Sequence, residues 1–137
     1  MGQQKNIHWA DTTADRIIRQ RGDKETYVLA SGITPSGVVH FGNFREVITV
    51  DLVARALREK GKKVRFIFSW DDYDTFRKVP ANLPKQDMLS KYMFQPIVDT
   101  PDPFDEAESY AKHHEDAFEK QLDRVGIEVE PIYQATK

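Results

Sequence analysis

Apolar positions change period several times along the chain, and the changes outline its elements. Trp9, Thr13, Ile17 and the neighbouring Ile18 recur at helical spacing within Asn6 to Arg21, and Gly22 closes the run. A covering helix is predicted there, with Trp9 as its anchor and His8 at the surface. Next comes a short β-prone run, Tyr27-Val28-Leu29-Ala30, and a turn rich in Gly, Pro and Ser. From Asn43 to Lys60 helical spacing returns at Phe44, Val47, Ile48, Val50, Val53, Ala54 and Leu57, and Gly61 ends it. A second β-prone run covers Val64 to Phe68. Strand, loop, helix, strand is the right-handed βαβ unit that opens a doubly wound parallel sheet of the α/β class. Such sheets bind ligands at the carboxyl edge of their strands, where the loop and the helix start would lie.

Downstream, Val79 to Pro103 holds five prolines and a short helical candidate from Lys85 to Phe94, and reads as a structural connection folded over the site. Ala107, Tyr110, Ala111, His114, Phe118, Leu122 and Val125, closed by Gly126, make an amphipathic helix whose charged face is expected to be solvated. Ile127 to Tyr133 is a third strand, weakened by Pro131.

Composition narrows the class without naming it. The 137 residues are 39% hydrophobic and 31% charged, ordinary for a soluble domain, and a net charge of −2 gives no global basic field for nucleic acid. Absence of cysteine excludes disulfides and thiolate metal sites. The opening residues lack a signal-peptide layout and no apolar run approaches membrane-spanning length, so the expected compartment is cytoplasmic, with no membrane partner.

The candidate chemistry sits in the loop and the start of the second helix. Gly32 and Gly37 permit positive φ and close backbone approach, Pro35 stiffens the loop, and Ser31, Thr34 and Ser36 offer hydroxyls. Neither G-x-G-x-x-G nor G-x-x-x-x-G-K-[ST] occurs, which removes the usual support for dinucleotide or P-loop binding. At His40-Phe41-Gly42-Asn43 the helix-start amides and the positive end of the helix dipole suit phosphate. Gly42 leaves room for a base or ribose, while His40 and Asn43, three apart, aim two polar groups at one point. A nucleoside triphosphate is the economical ligand. Asp71, Asp72 and Asp74 follow the second strand, and alternation sends Asp72 and Asp74 to one face and Asp71 to the other.

The run from Ala30 to Asp51, with its HFGN tetrapeptide at 40–43, resembles the signature of class I lysyl-tRNA synthetases of the archaeal type, which carry a variant HIGH motif ending in Asn. Similarity continues through 62–74 and 76–80. The resemblance implies a Rossmann-like domain of the HUP type that joins lysine to ATP as lysyl-adenylate, releases pyrophosphate and transfers the lysyl group to tRNA(Lys). It implies His40 and Asn43 as catalytic residues and Pro35, Ser36, His40, Gly42 and Asn43 as the ATP set, with Mg²⁺ brought by the nucleotide. Gly32, Thr34, Asp71, Asp72 and Tyr73 are the implied L-lysine set, with Asp71 on the α-ammonium. Which carboxylate meets the ε-ammonium is left open by the spacing.

Some members of that family carry a zinc motif of Asp, then Cys-His, then His. Here Asp102 and His113 match its ends, but Glu106 and Ala107 occupy the middle places, so no structural zinc is expected. The lysine-rich KMSKS-type loop does not occur in these residues. The chain therefore reads as residues 1–137 of a single, incomplete catalytic domain, lacking that loop and the anticodon-binding region and weakly active at best. Two alternatives stand beside it: a nucleotidyltransferase of the His-x-Gly-His type with another acceptor, and a non-catalytic fragment.

Overall fold

The computed structural model describes residues 8–37 and 41–135. In chain order the elements are α1 (Trp9–Arg21), β1 (Thr26–Ile33), α2 (Phe41–Glu59), β2 (Lys63–Trp70), α3 (Gln86–Ser90), a 3₁₀ turn (Ile97–Asp99), α4 (Tyr110–Arg124) and β3 (Glu130–Tyr133). The strands form one parallel sheet in the order β1-β2-β3. Thr26 pairs with Lys63 and Ile33 with Trp70, so β1 and β2 end level, and Trp70 pairs with Tyr133 on the far side. The fold is the expected α/β, Rossmann-like one.

Both crossovers, through α2 and through α4, run in the same direction along the sheet, which places both helices on one face. Phe44 of α2 meets Phe118 of α4 edge-on at 6.2 Å above that face. Phe66, Phe68 and Trp70 point up into this layer and are buried with Val47, Phe118 and Leu122. Trp70 and Phe118 pack edge to face at 5.7 Å, and Phe68 and Trp70 at 4.9 Å. The opposite face carries Val28, Ala30 and Ile132, all exposed, with half-buried Ile67 between them.

α1 differs from expectation in the side it buries. His8 caps it, its Nδ1 accepting from the Ala10 amide at 3.1 Å, and Gly22 closes it at φ 86°. Ala10 and Ala14 are the buried residues, against Val53, Ala56 and Leu57 of α2 with Ile17 and Ile18 alongside, while Trp9 is 46% exposed. Small side chains let the two helix backbones approach closely, which a Trp anchor would prevent.

The excursion from 71 to 109 has its own core of Phe76, Leu83, Leu89 and Ile97, closed by Tyr110 and Ala111 of α4. Its helix is shorter than the sequence suggests, because the backbone takes positive φ at Lys85 (56°) and again at Phe94 (68°). α4 starts at Tyr110 rather than Ala107: Ser109 Oγ accepts from the Lys112 amide at 3.1 Å. The preceding residues instead wrap round the buried Asp102 carboxylate, which accepts from the amides of Phe104 (3.0 Å), Glu106 (2.9 Å) and Ala107 (2.9 Å). His113 Nδ1 lies 3.2 Å from the same carboxylate. β3 is confined to its last four residues, and Ile127 packs into the core ahead of it. Among the described residues, no helix is long and apolar enough to cross a membrane.

Candidate nucleotide and amino-acid site

The carboxyl ends of β1 and β2 open onto two recesses that share Ile33 and Thr34. The first, of about 440 Å³, is lined by Gly32, Thr34, Ser69, Asp71 and Gln134 together with Ala30, Ser31 and Ile33. Asp71 is held at its rim because its amide donates to the Ile33 carbonyl at 3.0 Å, one residue beyond the strand pairing. Burial raises its carboxyl above the ordinary range, with smaller contributions from Asp74 and Asp72. Asp71, Gly32 and Thr34 are thus brought together as expected.

Gly32 is needed there for a reason other than the one its loop position suggests. Its φ is not positive, yet a Cβ at this position would lie 2.5 Å from the Ser69 carbonyl oxygen of β2. Only a residue without a side chain lets the strands run this close beside the recess.

The acidic cluster separates in a way that alternation does not describe. β2 ends at Trp70, so the period of two stops before the three aspartates. Asp72 turns inward and is buried; its Oδ1 accepts from the Ala135 amide at 2.8 Å, and its carboxyl hydrogen-bonds that of Glu115 on α4. Asp74 pairs with Arg77 through two bonds of 3.0 and 3.2 Å and accepts from the Thr75 amide. Neither Asp72 nor Tyr73, which is 64% exposed, lines the Asp71 recess.

The second recess, of about 870 Å³, has Thr34, Ser36, Gly37 and Asn43 on one wall and residues 74–78 and 80–82 on the other. Arg77 and Lys78 both line it, Arg77 with its guanidinium paired to Asp74, which lines the recess as well. Asn43 is half-buried, Gly42 is exposed in that first turn, and Pro35 is buried beneath the loop. His40 lies outside the described residues. The α2 amino terminus, Lys78 and the loop hydroxyls, with Arg77 already balanced by Asp74, suit this recess to an anion, and Asp71 suits the one next to it to a cation.

The excursion and α4 brace the edge from below. Tyr110 is fully buried, and its hydroxyl donates to the Ser36 carbonyl at 2.7 Å. Glu119 Oε1 accepts from Trp70 Nε1 at 3.0 Å and from the Tyr133 hydroxyl at 2.6 Å, locking the ends of β2 and β3 to α4. Glu115 is buried against Asp72, contrary to the expectation that the charged positions of α4 are solvated. Sequence reasoning assigned no role to Arg77, Lys78, Tyr110, Glu115 or Glu119. The basic pair directly after an acidic cluster was the one available signal.

The model of the family described as tRNA synthetases class I (K) matches residues 7–137. The chain belongs to that family. It is 57% identical over 132 residues to the lysine–tRNA ligase of Treponema pallidum (strain Nichols), covering 96% of this chain and 25% of that protein. Similarity to the lysine–tRNA ligase of Borreliella burgdorferi is also 57%, over 131 residues, 96% of this chain and 25% of the relative. That of Pyrococcus horikoshii is 54% identical over 127 residues, 93% of this chain and 24% of the relative. The chain thus spans about a quarter of the length of these synthetases. In this class I synthetase chain the two recesses meet at Ile33 and Thr34, and the larger one reaches Asn43 in the first turn of α2.

Proposed function

We propose that this chain supplies the ATP- and lysine-binding edge of a lysine–tRNA ligase. The observation that carries the reading is the pair of adjoining recesses meeting at Thr34, one acidic at Asp71, the other lined by Lys78, the Arg77–Asp74 pair and the start of α2. Lysine has two ammonium groups and one carboxylate; ATP is a polyanion. With the lysine α-ammonium on Asp71 and the triphosphate between Asn43 and Arg77, the lysine carboxylate meets the α-phosphate at the shared wall.

The reaction needs little covalent help from the protein. A lysine carboxylate oxygen attacks the α-phosphorus, the bond to the β-phosphate oxygen breaks, and pyrophosphate leaves with that electron pair. The lysyl group then passes to the terminal ribose of tRNA(Lys). What the chain contributes is alignment and neutralisation of charge that grows on the phosphate oxygens. Asn43 and the α2 amino terminus act on those oxygens, beside His40. Pro35 and Ser36 shape the nucleotide side, and Gly42 admits the adenosine. Gly32 and Thr34 line the lysine side, and Asp72, buried against Glu115, supports the turn that carries Asp71. Among the described residues, no group of three His, Cys, Asp or Glu side chains is disposed to hold a metal ion, and Mg²⁺ is proposed to enter with the nucleotide.

The bare sheet face supports a further part of the reading, that residues 1–137 form one portion of a larger catalytic domain. Parallel sheets are stable when both faces are covered, and here Val28, Ala30 and Ile132 await a second layer.

Titration calorimetry of ATP and of lysine on the chain and two variants tests the assignment. Asp71→Asn should weaken lysine at least roughly tenfold and leave ATP nearly unchanged, while Asn43→Ala should do the reverse. Equal loss of both ligands in both variants, or no binding by a folded chain, would overturn it.

A further inference from the structure

We propose that Tyr110 is a positioning residue for the nucleotide loop, acting through the Ser36 carbonyl; the inference rests on the nucleotide reading above. Among the described residues, the Tyr110 hydroxyl makes the one hydrogen bond that reaches 34–37 from elsewhere in the chain, across 74 positions of sequence. The loop's other bond is internal, from the Ser36 amide to the Thr34 carbonyl at 2.8 Å. Loops of this kind are the least constrained part of a sheet edge, so one long-range bond decides where this one stands.

Tyr110 is itself fixed on every side. It opens α4, its amide donates to the Thr100 carbonyl at 2.7 Å, and its ring packs on Phe76 at 5.0 Å and edge-on to His114 at 4.6 Å. Phe76 in turn lines the nucleotide recess opposite Ser36 and Gly37. A Cβ on Gly37 would meet Pro80 at 3.5 Å and the Tyr110 hydroxyl at 3.8 Å, so the loop passes through a narrow space between those two residues. Accepting from Tyr110 turns the Ser36 carbonyl into the protein. The Ser36 amide is taken by the Thr34 carbonyl, so what Thr34 and Ser36 offer the recess is their hydroxyls, and an anion meets these donors instead of a carbonyl oxygen. Tyr110 touches no ligand in this arrangement; it sets the geometry of residues that do.

Tyr110→Phe removes the hydroxyl and keeps the ring, so the core of the excursion stays filled. Amide hydrogen exchange by mass spectrometry is read on peptides covering 31–37, with β2 and α4 peptides as internal standards, and ATP and lysine affinities are measured on the same samples. The expected result is exchange at least roughly fivefold faster in 31–37 alone, with ATP weakened roughly fivefold and lysine less, since a fivefold loss is the ~1 kcal/mol of one hydrogen bond. Unchanged exchange in 31–37 overturns the proposal, as does a faster loop with unaltered ATP affinity. A folded wild-type chain that binds no ATP overturns the nucleotide reading instead, and the exchange result then still decides whether Tyr110 holds the loop.

Discussion

Asp72 and Glu115 are hydrogen-bonded carboxyl groups, 3% and 2% exposed, at the junction of β2 and α4. Burial beside another carboxyl disfavours the charged form of Glu115. Burial is the largest cause, followed by the bond to Asp72, and together they push Glu115 up from 4.5 to about 8 against a small opposing effect of Lys112.

The pair gives stability a defined pH dependence. Unfolded, Glu115 loses its proton near 4.5; folded, it keeps it to about 8, so the native state binds more protons in that window and stability falls as pH rises through it. His114 acts in the opposite sense: burial, then His113, hold it at about 4 instead of 6.5, so stability rises with pH between those values. The slopes oppose one another up to about pH 6.5 and leave a decline between 6.5 and 8. Urea midpoints across this range should show that decline in the wild type and its loss in Glu115→Gln, which keeps a hydrogen-bonding group without the titration.

Glu119 is the second anchor under the edge. Replacing it with Ala strands the Trp70 indole N–H and the Tyr133 hydroxyl, and should cost roughly 2–3 kcal/mol, whereas Glu119→Gln retains an acceptor and should cost less than half as much. Denaturant unfolding measures the difference. A change in Trp emission should accompany Glu119→Ala, since Trp70 is wholly buried and Trp9 half exposed.

Much of this arrangement was legible in the residues, and the part that was not has a physical pattern. The β1–loop–α2–β2 unit followed from two short β-prone runs and a run of period 3.6 set off by Gly and Pro, which local sequence records directly. Asp71, Gly32 and Thr34 fell together because the strands end level. What stayed hidden depends on partners distant in sequence. Glu115 looks like a solvated position on α4 until Asp72 arrives to bury it. Tyr110 looks like one more apolar position until Ser36 arrives above its hydroxyl. Trp9 carried the strongest apolar signal in α1, yet close packing of that helix against α2 selected Ala10 and Ala14.

Gly32 makes a sharp steric prediction. Gly32→Ala places a methyl 2.5 Å from the Ser69 carbonyl oxygen, and backbone at the edge of the sheet must move to admit it. A loss of ~1–3 kcal/mol in thermal or denaturant unfolding is expected, with weaker lysine binding than the lost stability accounts for. Gly37→Ala, whose nearest contacts are at 3.5 Å or beyond, should be milder.

Catalysis by the chain alone should be slight. Lysine-dependent exchange between ATP and pyrophosphate is expected to be weak, to require lysine, and to disappear in Asn43→Ala. Little or no charged tRNA(Lys) should form. Robust lysyl-tRNA formation would mean that the described edge needs far less of a surrounding domain than its bare sheet face implies.

The most direct test of the two-recess account is amide chemical-shift mapping by NMR with ATP and lysine added separately. The account predicts that ATP moves the signals of Ser36, Gly37, Asn43 and Arg77, that lysine moves those of Gly32 and Asp71, and that Thr34 responds to both. Perturbations on the outer face of α4, or a single shared footprint for both ligands, would contradict it.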